Sequence, residues 1–89
     1  MHEAPLILTL YSKPGCHLCD EMKIVVGRVA RSLPVEVAEI DVSFDPELER
    51  LYGEEIPVLV VDGQKVAKYR VSEGDLLRSL RARLCDAER

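Results

Sequence analysis

The stretch Leu10-Tyr11-Ser12-Lys13-Pro14-Gly15-Cys16-His17-Leu18-Cys19 holds the end of one element, a turn and the start of another. Residues 6–11 (LILTLY) form a short apolar run bounded by Pro5 and by Ser12-Lys13-Pro14-Gly15, the pattern of a strand buried on both faces. From His17 onward, Cys19, Met22, Val26, Val29, Ala30 and Leu33 recur at three- and four-residue intervals, with Asp20, Glu21, Lys23 and Arg28 mostly opposite. That spacing predicts an amphipathic helix, stopped before Pro34 because a proline pushes the residue ahead of it out of the α region.

Outward from this unit, residues 35–42 are rich in β-branched side chains interleaved with Glu36, Glu39 and Asp41, as expected of a half-exposed strand at a sheet edge. Asp45-Pro46 supplies an N-cap and a first-turn proline, Glu47 and Glu49 suit the positive end of a helix dipole, and Gly53 supplies a stop, so a short second helix lies between them. Residues 57–61 (PVLVV), the turn Asp62-Gly63 and residues 66–70 read as a hairpin, because Asp-Gly accepts the positive φ angles of tight primed turns. Ser72 and Asp75 make a capping pair ahead of Leu76, Leu77, Leu80 and Leu84 at helical spacing. The predicted order is β-α-β-α-β-β-α, with two parallel strands joined by a right-handed crossover and a hairpin completing the sheet. Helices of about 10 to 16 residues are expected on both faces.

Eighty-nine residues, 47% hydrophobic and 31% charged, are those of one globular domain spanning 1–89. The formal net charge is −4 and the twelve basic residues are scattered, which argues against a nucleic-acid partner. The longest apolar run, 56–61, is far shorter than the ~20 residues of a membrane span, and the N-terminus lacks the basic start and apolar stretch of a signal peptide. A monomer in the cytoplasm, without a membrane partner, is the expectation.

Three cysteines are too few to staple a secreted scaffold, and two of them stand at Cys-x-x-Cys spacing. Cys16 directly precedes a helix, beside unpaired N–H groups that favour its thiolate, so it is the candidate attacking thiol. Cys19 lies close to one turn further on, inward with Met22 and Val26, and is the candidate resolving thiol. Lys13 either adds positive charge to the site or points into water. His17 either supplies an imidazolium beside the thiolate or simply faces solvent. The same spacing is half of a zinc site, but a closed site needs four ligands, and the remaining candidates are Cys85, His2 and His17. No metal is therefore assigned. Cys85 has no partner at useful spacing, Tyr11 and Tyr52 read as packing residues, and Tyr69 falls on the exposed edge of the hairpin.

The quoted segment resembles the active-site segment of glutaredoxins, and the likeness continues through Ile56-Pro57-Val58-Leu59-Val60-Val61-Asp62-Gly63. The resemblance implies a thioredoxin-like α/β fold of glutaredoxin type, with a four-stranded mixed sheet flanked by three helices. It further implies a cis proline at Pro57 facing the redox pair, and backbone hydrogen bonds from Ile56 to a bound peptide or glutathione. The implied activity is thiol–disulfide oxidoreduction on protein or small-molecule disulfides, with no bound cofactor and with glutathione as co-substrate or a thioredoxin-type reductase as electron donor. Two departures stand out: His17-Leu18 replaces the Pro-Tyr usual between the cysteines, and Ala67-Lys68 replaces the usual Gly-Gly pair. Reduction potential and specific glutathione binding therefore do not carry over. The competing reading, from a different class, is a thioredoxin-fold binding or scaffold module, metal-linked or not, whose cysteine pair is not turned over.

Overall fold

A computed structural model describes residues 6–87; His2 and Pro5, named above, lie outside them. The chain runs β1 (Leu6–Ser12), α1 (His17–Ala30), β2 (Val35–Asp41), α2 (Pro46–Tyr52), β3 (Val58–Val61), β4 (Gln64–Lys68) and α3 (Glu73–Ala87), with a single 3-10 turn at Val42–Phe44 before α2. This is the expected element order. The four strands form one mixed sheet in the order β2-β1-β3-β4, with β1 parallel to β2 and antiparallel to β3, and β3 antiparallel to β4.

Period-two alternation along β1 separates the two faces of the sheet. Leu6, Leu8 and Leu10 point one way and, with Leu59 and Val61 of β3, pack against Met22, Val26 and Val29 of α1 and Leu76 and Leu80 of α3. The opposite face carries Ile7, Thr9 and Tyr11, and here the expectation of burial on both faces fails, since Ile7 is 43% exposed. The cause is α2, the short helix expected between Asp45-Pro46 and Gly53, whose seven residues cover only part of that face. Its Tyr52 stacks on Tyr11, ring centroids 4.5 Å apart, and so covers one end of that face.

Other boundaries follow local chemistry. The first helix stops at Ala30, earlier than Pro34 alone requires, yet Leu33 still packs against the core. Asp45 caps α2 by accepting from the N–H groups of Glu47 and Leu48. Asp62 (φ 50°) and Gly63 (φ 87°) form the hairpin turn with both central residues at positive φ. The third strand begins at Val58, one residue later than read, and β4 ends at Lys68 rather than Arg70 because Tyr69 takes a φ of 68° that no strand residue adopts. Ser72 Oγ accepts from the N–H of Asp75, as its place ahead of α3 demands. Among the described residues no helix is long and apolar enough to cross a membrane.

Candidate active site

Strand directions bring the candidate residues to one end of the sheet. The chain leaves β1 at Ser12, enters β3 at Val58 opposite Tyr11, and leaves β4 at Lys68 opposite Val58. The loop carrying Cys16, the segment Ile56-Pro57 and the bend at Tyr69-Arg70 therefore meet at that end.

Cys16 is the N-cap of α1, with extended backbone (φ −89°, ψ 110°), and its sulfur accepts the N–H of Cys19 at 3.1 Å. Gly15, at φ 77°, makes the preceding turn possible. The cap bond and the positive helix end both favour negative charge on the Cys16 sulfur. The two cysteines are joined as a disulfide across a Cα separation of 5.2 Å, and they differ in access: Cys16 is half-buried, whereas Cys19 is 2% exposed within the core side of α1. The peptide bond between Ile56 and Pro57 is cis. Neither the N–H nor the C=O of Ile56 takes part in a backbone hydrogen bond among the described residues.

The charged candidates around the pair are engaged with acidic partners, and His17 takes the solvent-facing of its two expected positions. Lys13 neither flanks the sulfur freely nor points into open water: its Nζ lies 3.5 Å from Glu49 Oε2 of α2. The His17 side chain is 89% exposed, and its Nε2 leans toward Glu21 at 3.6 Å, one turn along the helix. Glu21 in turn meets Arg70 Nη1 at 3.4 Å, tying the bend after β4 to the first turns of α1. Cys85 is a free, exposed cysteine on α3.

One group at the site escaped sequence reasoning. Cys19 lines a cavity of about 280 Å3 together with Ser12, Lys13, Lys23, Glu39 and Asp41. Glu39 Oε2 accepts from Ser12 Oγ at 3.0 Å and pairs with Lys23 Nζ at 3.1 Å. Ser12, 4% exposed, is buried and satisfied by that bond. The register places Val35, Val37 and Glu39 beside Leu6, Leu8 and Leu10, which brings Glu39 within reach of Ser12.

A CxxC pair at the N-terminus of the first helix, at one end of a β2-β1-β3-β4 sheet with a cis proline ahead of β3, defines a chain of the thioredoxin-fold class. The chain belongs to the glutaredoxin-like domain family (DUF836), whose model matches residues 7–81. It is similar to solved structures of a structural-genomics target protein from X. campestris (28% identity, TM-score 0.73, covering 84% of this chain and 96% of that one). Protein Ne2328 from Nitrosomonas europaea is alike at 26% identity and a TM-score of 0.77, covering 90% and 96%. A mutant thioredoxin from Halobacterium salinarum shares 27% identity at a TM-score of 0.65, covering 86% of this chain and 73% of that one.

Proposed function

We propose that this chain is a dithiol–disulfide oxidoreductase of glutaredoxin-like type that reduces disulfides through Cys16 and Cys19. The observation that carries the reading is the accessible Cys16 sulfur at the cap of α1, bonded to an N–H and backed by a buried partner thiol. In the reduced protein the Cys16 thiolate attacks a substrate disulfide, forming a mixed disulfide and releasing one substrate thiolate. Cys19, deprotonated, then attacks the Cys16 sulfur, closing the Cys16–Cys19 disulfide and releasing the second substrate thiolate. Burial makes Cys19 a reluctant acid, and Glu39, held at one oxygen by Ser12 and Lys23 on the cavity that Cys19 lines, takes its proton through water.

Two electrons per cycle return from glutathione or from a thioredoxin-type reductase, and the cytoplasm, where both keep thiols reduced, is the setting that suits the cycle. The unpaired Ile56 backbone ahead of Pro57 receives the substrate chain, and Lys13, engaged by Glu49, borders the approach. One chain carries both cysteines, so a monomer suffices.

Mass spectrometry across a glutathione redox series tests the reading. Reversible loss of two hydrogens across Cys16 and Cys19 within the range of thioredoxin and glutaredoxin potentials, ~−200 to −270 mV, is the expected result. A pair that stays reduced throughout, or that copurifies stoichiometrically with zinc or iron, would sink it in favour of a binding module.

A further inference from the structure

Tyr69 occupies a conformation that a tyrosine adopts only when its surroundings insist on it. Its φ of 68° lies in the left-handed region, and the Arg70 N–H donates to the Lys68 carbonyl at 2.7 Å, closing a γ-turn of the rare, strained form centred on Tyr69. No glycine eases the bend.

Two hydrogen bonds account for the geometry, and both reach the same segment. The Tyr69 N–H donates to the Pro57 carbonyl at 2.9 Å, and the Tyr69 hydroxyl donates to the Glu54 carbonyl at 3.2 Å. The residues so held stand on either side of Ile56, whose own N–H and C=O remain unpaired. Glu55, inside the same segment, pairs with Lys65 and with Lys68 of β4, and the Lys68 ammonium also lies 5.6 Å from the centre of the Tyr69 ring. Strand β4 and the turn after it thus grip residues 54–57 at four points, through Lys65, Lys68 and two bonds from Tyr69, and leave the Ile56 backbone free.

We propose that Tyr69 is a positioning residue that fixes the Ile56 backbone for pairing with an extended peptide, making peptide disulfides the substrate class of this site. The inference rests on the oxidoreductase reading for its substrate and on the two hydrogen bonds for its mechanism. An unpaired N–H and C=O pair binds an extended chain by strand addition only if it is held still, since otherwise the incoming chain must order both partners. A small disulfide that makes no strand contact gains nothing from the clamp.

Tyr69→Phe in the full chain removes the hydroxyl bond alone and keeps the amide, the ring and the turn. Loss of one such bond corresponds to roughly a fivefold effect. Expected are a roughly fivefold higher KM for a disulfide-bonded peptide at unchanged kcat, and wild-type rates on hydroxyethyl disulfide. Amide hydrogen exchange should quicken by a similar factor at position 69, with Leu59 and Val60 unaffected. An unchanged peptide KM, or an equal loss on both substrates, overturns the peptide assignment, and unchanged exchange at position 69 overturns the clamp. Should the wild-type chain reduce neither substrate, the oxidoreductase reading fails, and the exchange comparison still decides whether Tyr69 holds the segment.

Discussion

At the scale of single residues, position 16 serves as helix cap and nucleophile at once, and the two duties separate by substitution. Serine is a good N-cap, so Cys16→Ser should leave the reduced protein within about 0.5 kcal/mol of wild type by urea denaturation while abolishing disulfide reduction. Cys19→Ser should instead trap a mixed disulfide with substrate, visible as an added mass that dithiothreitol removes. Glu39→Gln keeps the shape of the cavity and loses the proton acceptor; the closing step should slow about tenfold or more near neutral pH and recover as pH rises toward the thiol pKa. Glu55 has a sign of its own. Its carboxyl is held below the ordinary range, chiefly by the hydrogen bond from Lys65, so the ionised form is the one the fold favours. Its contribution is complete above the ordinary carboxylate pKa and fades as pH falls through the lowered one. Thermal unfolding followed down to about pH 3 should therefore decline less steeply in Glu55→Gln than in wild type. The cysteine pair was legible in the sequence because its context is local: strand, Pro-Gly turn and helix start lie within ten consecutive residues. Glu39 and Tyr69 were not, since each acts through a partner brought close by the sheet: Glu39 through Ser12, and Tyr69 through Glu54 and Pro57.

Among the elements, the best-read were those with strong local chemistry. Asp45-Pro46 marks the start of α2, and Asp62-Gly63 closes the hairpin at the residues read. Gly63 stands at φ 87° with open space where a Cβ would go, so Gly63→Ala meets no clash and suffers only the backbone penalty, about 1 kcal/mol by chemical denaturation. Ends set by tertiary contact were read less well. The apolar pattern of the first helix runs on to Leu33, but the backbone leaves the helix after Ala30 and Leu33 packs from the loop. The fourth strand ends where Tyr69 is drawn to Pro57 and Glu54, a demand that no propensity in residues 66–70 announces. Burial of β1 was overestimated for a related reason: an apolar run tells how much could be covered, and the cover depends on the length of a helix some 35 residues away.

Taken whole, the molecule has a thick side and a thin one. Leu80, fully buried between α3 and the sheet, and Leu51, half-exposed on α2, are the same residue in different structural roles. Leu80→Ala should cost about 3 kcal/mol and Leu51→Ala under ~1 kcal/mol, as measured by urea midpoints at constant slope. The sheet order has an implication for how the chain is made. The first strand emerges from the ribosome before any of its partners, and Val61, which lies opposite Leu8 at the centre of the sheet, follows about 50 residues later. Until then the leucines of β1 have only the edge strand β2 and α1 to lie against, and nothing closes the core on its far side. Closing so long a loop before the contact rewards it makes this topology slower to fold than a helical bundle of the same length. A nascent chain arrested before β3 should accordingly remain protease-sensitive and gain resistance abruptly, rather than by stages, once the hairpin has cleared the exit tunnel.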